Sequence, residues 1–390
     1  MRMRFATTAL AFVGALAGAR IAQAQIHREG LPQALKEPLK ASAFKDRGDG
    51  VVWMGRVDAP PESAWIRVHF KNIKSPPDSK YTIVLRDRSE RVAARYTPGQ
   101  FADSQEFLSD VLFTNRATIE VEGTPRALTF EVDRIIYEVD SVGRLVPQST
   151  VPNWRTVPEA VTLLKKPTLA EAARSVAKLF VGDGFVCTGF LIAPNLLLTN
   201  HHCLRESLSF SQSDGAPLER RQCSDIVLLF DFDQQGAPTR AIRTRCVGVK
   251  DFDPRLDFAV LQLDPKAVEI EKAPRPFLKL ADGPTTFKGG LYVLHHPAGL
   301  AKKVSFACES FEGKADAAPI LEHDCSTVGG SSGSPLFNEA GEVVALHFAG
   351  AYPRNLTMEE IEINIMRGAI YRNKARPVSA LQPRLAALVR

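Results

Sequence analysis

Between residues 51 and 140, and again from 175 to about 372, the chain is a succession of short apolar runs broken by turn-forming residues. In Ile66-Arg-Val-His-Phe70 and Thr118-Ile-Glu-Val-Glu122, apolar and polar side chains alternate. A strand turns successive side chains to opposite faces, so a period of two marks half-buried antiparallel strands. Five such runs, at 50–59, 64–73, 81–87, 117–123 and 128–139, are separated by stretches such as Ser75-Pro-Pro-Asp-Ser79. They predict a β-sandwich over 51–145. Its histidine, His69, stands among apolar neighbours and reads as a structural or surface residue, with no catalytic constellation around it.

At 390 residues the chain exceeds one ordinary domain and suits two, so two cores are expected. Residues 146–174, rich in proline and polar side chains, read as a linker. Within it Thr168-Leu-Ala-Glu171 has the pattern of a capping box for a short helix. Residues 25–50 read as an N-terminal leader and 373–390 as a tail whose end, Pro383 to Arg390, suits a helix.

The first 24 residues have a basic start (Arg2, Arg4), an apolar small-residue run and Ala22-Gln-Ala24, the pattern of a cleavable export signal. The run is shorter than the roughly 20 residues needed to span a bilayer. Removing it takes away Arg2, Arg4 and Arg20, so the formal charge drops from +5 to 5 − 3 = +2. Such a balance makes no case for nucleic acid as a partner, and no later segment is built to cross a membrane. A secreted monomer, extracellular or periplasmic, is expected. The six cysteines, 187, 203, 223, 246, 308 and 325, form an even set in the second half, which favours disulfides in an exported chain. Spacings of the C-x2-C or H-E-x-x-H kind are absent, so neither metal nor cofactor is expected.

Three segments of the second half carry side chains suited to acyl transfer, which needs a nucleophile, a base and donors for an oxyanion. In Cys187 to Cys203 an apolar run ends in Thr199-Asn-His-His-Cys203; in Arg255 to Asp264, Asp257 enters an apolar strand; in Cys325 to Asn338, Ser332 lies within Gly329-Gly-Ser-Ser-Gly-Ser-Pro335. The two cysteines of the first segment are spaced for a bridge between neighbouring antiparallel strands, which would hold His202. Glycines around Ser332 permit a tight turn with backbone N–H groups directed at one spot. The order His, Asp, Ser, with Ser334 where a second motif glycine would stand, excludes the α/β-hydrolase arrangement, in which the nucleophile comes first.

Together these motifs resemble the chymotrypsin-like (trypsin-like) serine endopeptidases, most nearly the bacterial V8-like glutamyl endopeptidases and related secreted proteases, over about 175–372. The resemblance implies an all-β fold, a chymotrypsin-like double β-barrel, here preceded by a sandwich similar to the jelly-roll-like modules of some secreted proteases. It implies His202 as base and acid, Asp257 as its orienter, Ser332 as nucleophile, and the amides of Gly330 and Ser332 as the oxyanion hole. Thr327 and His347 occupy the positions that line the S1 pocket of glutamyl endopeptidases, implying protein or peptide substrates with an acidic P1 residue; the other reading is that His347 packs in the second barrel and P1 is small or apolar. His201, His295 and His296 are expected to be structural, and His323 to belong to a loop pinned by Cys325. The disulfides expected are Cys187–Cys203, Cys308–Cys325 and, by elimination, Cys223–Cys246, each worth about 3 kcal/mol in the chain-entropy model. The family's mature N-terminal amine assists substrate binding; here it would require a cut at Lys165-Lys166 or Arg174-Ser175. The rival reading is a catalytically silent protease scaffold serving in binding or adhesion.

Overall fold

The computed structural model of the chain describes residues 27–46, 49–76, 78–100, 106–138, 154–235, 241–265, 274–282, 290–313, 318–351, 364, 366–367 and 371–389. The export signal expected over 1–24 lies outside these residues.

The first part contains β1 (His27–Arg28), β2 (Gly30–Ala41), β3 (Val51–Asp58), β4 (Ile66–Lys74), β5 (Lys80–Arg86), β6 (Val92–Tyr96), β7 (Glu106–Leu108), β8 (Arg116–Thr124) and β9 (Thr129–Glu138). Two four-stranded antiparallel sheets, β2-β9-β4-β7 and β3-β8-β5-β6, face each other. Between them lies a core that includes Val68, Phe70, Ile83, Ile119, Phe130 and Ile135. The sandwich begins earlier than residue 51, because Gly30–Ala41 is its edge strand rather than a leader. His69 is fully buried, with Nδ1 2.6 Å from Asp133 Oδ1, and so is structural rather than a surface residue.

Next come β10 (Trp154–Thr156), α1 (Val157–Leu164) and α2 (Thr168–Ala173). These residues are not a free linker: β10 pairs with a strand of the second barrel, and Val157, Ala160, Leu169 and Ala173 are buried in the core that both barrels share. The capping box is also displaced from its expected site. Thr156 and Glu159 form it at the start of α1, whereas α2 begins after Pro167 with no side-chain cap.

The first barrel is built from β11 (Val176–Val181), β12 (Phe185–Ala193), β13 (Leu196–Thr199), β14 (Val227–Phe230), β15 (Ile242–Asp253) and β16 (Phe258–Leu263), with α3 (His201–Arg205) and α4 (Leu208–Gln212) following β13. Its order, β12-β11-β14-β15-β16-β13, closes through the β12–β13 pairing. The second sheet comprises β17 (Leu291–His295), β18 (Lys303–Cys308), β19 (Ser310–Glu312), β20 (Leu321–His323), β21 (Pro335–Phe337), β22 (Val343–Ala349) and β23 (Asn373–Pro377), with β10 at its edge, in the order β10-β18-β17-β21-β22-β23-β20-β19. A closed barrel beside an open, curled one gives the chymotrypsin-like double-barrel architecture. Residues 373–377 belong to this sheet and not to a tail, and α5 (Val378–Leu385) buries Val378, Leu381 and Leu385 in the shared core. Cys187–Cys203 and Cys223–Cys246 are disulfides within the first barrel, and Cys308–Cys325 is one within the second.

Candidate active site

β13 and β16 are neighbours, with Thr199 opposite Ala259, so the residues just beyond β13 meet those just before β16. That register brings His202 to Asp257. Asp257 turns the chain with a left-handed φ of 53°, and its carbonyl accepts from Asn200 Nδ2 at 2.8 Å. Its carboxylate is then aimed at α3. Oδ1 accepts from the backbone amide of His202 at 2.9 Å, and Oδ2 lies 2.7 Å from the ring Nδ1. A carboxylate beside Nδ1 favours the proton there and leaves the lone pair on Nε2. His202 Nε2 is buried and has no hydrogen-bond partner among the described residues.

The Cys187–Cys203 bond ties α3 to β12, with both sulfurs and a ring nitrogen of His202 within 4.8 Å of one another. Disulfide sulfur is not thiolate, so this cluster is no metal site.

Ser332 lies on a turn that only glycine can flank. Gly330 and Gly333 have φ of 94° and 86°; a Cβ on Gly333 would stand 2.0 Å from the Thr188 carbonyl oxygen, and one on Gly330 2.7 Å from that of His296. Thr188, beside Cys187, anchors the turn. Its amide donates to the Ser332 carbonyl at 2.8 Å, its hydroxyl to the Gly330 carbonyl at 2.9 Å, and its carbonyl accepts from Thr199 Oγ1 at 2.8 Å. The turn is therefore fastened to the strands that carry His202. The amides of Ser331, Gly333 and Ser334 donate to the carbonyls of Val328, His347 and Ser331. Those of Gly330 and Ser332 have no acceptor among the described residues, which leaves two donors free to receive an oxyanion.

β22 runs beside this turn. His347 donates through its amide to the Ser334 carbonyl and accepts from Gly333, both at 2.9 Å, which fixes its register to Ser332. The Thr327 hydroxyl is buried without a partner among the described residues. His347 Nδ1 lies 3.1 Å from His323 Nε2. The two rings share one face of the sheet, since their partners on β23, Ala375 and Asn373, are two residues apart. Burial, with a smaller contribution from His202, pushes the His347 pKa down to about 3, and burial holds His323 well below the ordinary histidine value. Both rings are neutral near pH 7.

The remaining histidines pack. His201 stacks on Phe252 at 5.3 Å, and burial lowers its pKa. His295 Nδ1 lies 2.8 Å from Ser331 Oγ and its Nε2 3.1 Å from Ser305 Oγ; burial takes it to about 3. His296 stacks on Phe232.

Residues 187–346, the span that holds His202, Asp257 and Ser332, match the model of the trypsin-like peptidase domain. The chain carries a trypsin-like peptidase domain. Similarity to curated proteins covers less than half of the chain. A DegP-like periplasmic serine endoprotease of Pseudomonas savastanoi is 30% identical over 167 residues, 41% of this chain and 28% of that protein. A glutamyl endopeptidase of Staphylococcus aureus is 25% identical over 170 residues, 43% of each chain. The chain thus spans less than half the length of these relatives. Among solved structures, the active form of the Rv3671c protease from M. tuberculosis is similar with a TM-score of 0.39 at 18% identity, covering 61% of this chain and 91% of that one.

Among the residues singled out in the sequence, His202 and Asp257 are joined by two hydrogen bonds, the Ser332 turn is tied to the same barrel through Thr188 and to His347 through its backbone, and Thr327 stands five residues before Ser332 with a buried hydroxyl. Two others had no comparable signal. Thr188 is one small polar residue in a strand, and its role depends on three backbone partners distant in sequence. His323 sits in β20 rather than a loop, and its partner lies two strands away.

Proposed function

We propose that the chain is an exported serine endopeptidase that hydrolyses peptide bonds through an acyl-enzyme. The observation that carries this reading is the two-point grip of Asp257 on His202, which leaves a buried Nε2 with no partner among the described residues, in a fold whose Ser332 turn presents two free amides. In the uncomplexed site no hydrogen bond joins Nε2 to Ser332; such bonds commonly tighten only when substrate is present.

In the proposed reaction Nε2 takes the Ser332 hydroxyl proton as Oγ bonds to the scissile carbonyl carbon. The carbonyl oxygen becomes an oxyanion held by the Gly330 and Ser332 amides. Collapse breaks the C–N bond, and the proton on Nε2 leaves with the amine. Water, deprotonated by the same nitrogen, then releases the acid and restores Ser332. Asp257 keeps its proton count throughout and stabilises the imidazolium.

The preferred P1 side chain is acidic. The unpartnered Thr327 hydroxyl and the neutral His347 supply donors without a buried opposing charge, and a donor from His323 to His347 Nδ1 would leave His347 Nε2–H for a carboxylate. The likeness to a glutamyl endopeptidase supports this choice, and the disulfides and a periplasmic relative support export. The test is cleavage of a peptide library by the chain and by Ser332→Ala. Cuts after Glu and Asp, lost in the variant, are expected. Full activity in Ser332→Ala contradicts the nucleophile; cuts mainly after Lys, Arg or Leu contradict only the acidic P1 preference.

A further inference from the structure

The segment that precedes the sandwich reaches into the first barrel. β1 pairs with β12 at Val186 and Phe185, and the amides of Glu29 and Gly30 both donate to the Gly184 carbonyl, at 2.9 and 3.0 Å. The Glu29 side chain is thereby carried into the interior, where it meets Lys178 of β11. Its two carboxylate oxygens lie 2.9 and 2.6 Å from Lys178 Nζ, and both residues are buried. Lys178 Nζ donates a further bond, at 2.6 Å, to the Gly299 carbonyl.

Gly299 belongs to a single turn, Pro297–Gly299, that packs on the serine turn from behind. The Ala298 amide donates to the Gly329 carbonyl at 2.7 Å. A Cβ on Gly330 would stand 2.7 Å from the His296 carbonyl oxygen and 3.1 Å from the Ala298 and Gly299 nitrogens, so there is no slack between the two turns. The Gly329 carbonyl and the Gly330 N–H are opposite ends of one planar trans peptide unit. Whatever fixes the carbonyl also fixes the direction of the N–H. A line of direct contacts therefore runs from Glu29 through Lys178, Gly299 and Ala298 to the Gly330 amide.

We propose that Glu29 and Lys178 are positioning residues for the Gly330 oxyanion donor, so that the region before the barrels is a working part of the protease and not a segment to be discarded. This rests on the proposed hydrolytic function. Charges taken out of water cost more than a well-packed apolar pair of the same volume, so bulk stability alone is a poor reason to bury this ion pair. Holding a carbonyl in place is a use that an apolar pair could not serve.

The attachment of the sandwich fits the same role. Trp65, Leu108, Val111 and Ile136 of the sandwich share a core with Phe180 and Val186 of the first barrel. Arg67, fully buried, donates to the carbonyls of Ser109, Gly182 and Asp225, on both sides of the junction. The Arg174-Ser175 bond, one of the two cuts that could have freed the barrels, ends at a buried serine whose hydroxyl donates to the Pro276 carbonyl.

The test compares Glu29→Gln and Lys178→Met in the full chain with Val111→Ala, which loosens the junction without touching the brace. An oxyanion donor acts mainly in the transition state, so its misalignment lowers kcat and spares KM. We expect both brace variants to lose at least about tenfold in kcat with KM within about twofold, a fraction of the 10²–10³ that removal of a whole donor costs. Affinity for a peptide aldehyde, whose hemiacetal places an oxyanion in the same spot, should fall in parallel, and hydrogen exchange at the Ala298 amide should quicken. Val111→Ala should lower the melting temperature and leave kcat alone. Wild-type kcat in both brace variants, or an equal kcat loss in Val111→Ala, overturns the proposal. If Lys178→Met does not fold, the isosteric Glu29→Gln carries the test. If the wild type cleaves nothing, the hydrolytic reading fails by itself. The exchange rate at Ala298 still decides the brace, and an unchanged rate in Glu29→Gln refutes it.

Discussion

Asp257 holds His202 by two atoms at once, one carboxylate oxygen on the backbone amide and the other on Nδ1. The first bond sets where the helix turn begins and the second sets the tautomer, so position and protonation of the ring are fixed by one side chain. In Asp257→Asn the side-chain amide can satisfy only one of these sites with an oxygen. Presented with an N–H, the ring would turn its lone pair to Nδ1 and its proton to Nε2, the wrong tautomer for a base. Steady-state kinetics should show kcat lower by roughly 10⁴ with folding intact. A loss below about tenfold would contradict the assigned role.

Thr327 and His347 offer a sharper reading of specificity. Hydrogen bonds to a charged group are worth about 1.5–3 kcal/mol each, or roughly 10- to 100-fold. Thr327→Val and His347→Leu should each reduce kcat/KM for a Glu-P1 peptide by about that factor and leave a Leu-P1 peptide within a few-fold. Parallel losses on both peptides would mean that the two residues support the fold and not the acidic side chain.

The second barrel should be unusually sensitive to acid. His295 and His347 are held at about 3 by burial, and in the unfolded chain they would titrate near ~6.5. Above that pH both states are neutral and nothing is gained or lost. Below it the unfolded chain takes up protons that the folded chain refuses, so stability falls continuously toward pH 3, at ~1.4 kcal/mol per pH unit for each ring. For the pair this is on the order of 4 kcal/mol between pH 6.5 and 5. Denaturant unfolding at a series of pH values should show the slope, and His295→Gln should flatten it by one ring's share. A midpoint that does not move between pH 7 and 5 contradicts this.

What could be read from the sequence was what depends on neighbours in sequence. The serine turn announced itself because Gly330 and Gly333 must take left-handed φ values beside Ser332, and the three motifs stand in an order that only one arrangement of barrels uses. The strand Gly30–Ala41 was missed because it shows no alternation and contains Pro32 and Pro38. Both are tolerable at a sheet edge, where a register shift falls between Ala34 and Leu39. Residues 154–174 have the composition of a linker, yet Val157, Ala160, Leu169 and Ala173 are buried, a placement set by the two barrels they lie against. His323 and the Glu29–Lys178 pair were invisible for another reason. Each is defined by a contact across elements distant in sequence, with no motif that marks either end.

On the proposed function, Ser332 is a nucleophile activated by His202. The most direct measurement of this role is mass spectrometry of the folded chain after treatment with a fluorophosphonate probe at neutral pH. A single covalent adduct on Ser332 is expected, abolished in Ser332→Ala and strongly slowed in His202→Ala, with Ser331 and Ser334 unmodified. A chain that takes up no probe at Ser332 would contradict the role and favour a protease scaffold kept for binding.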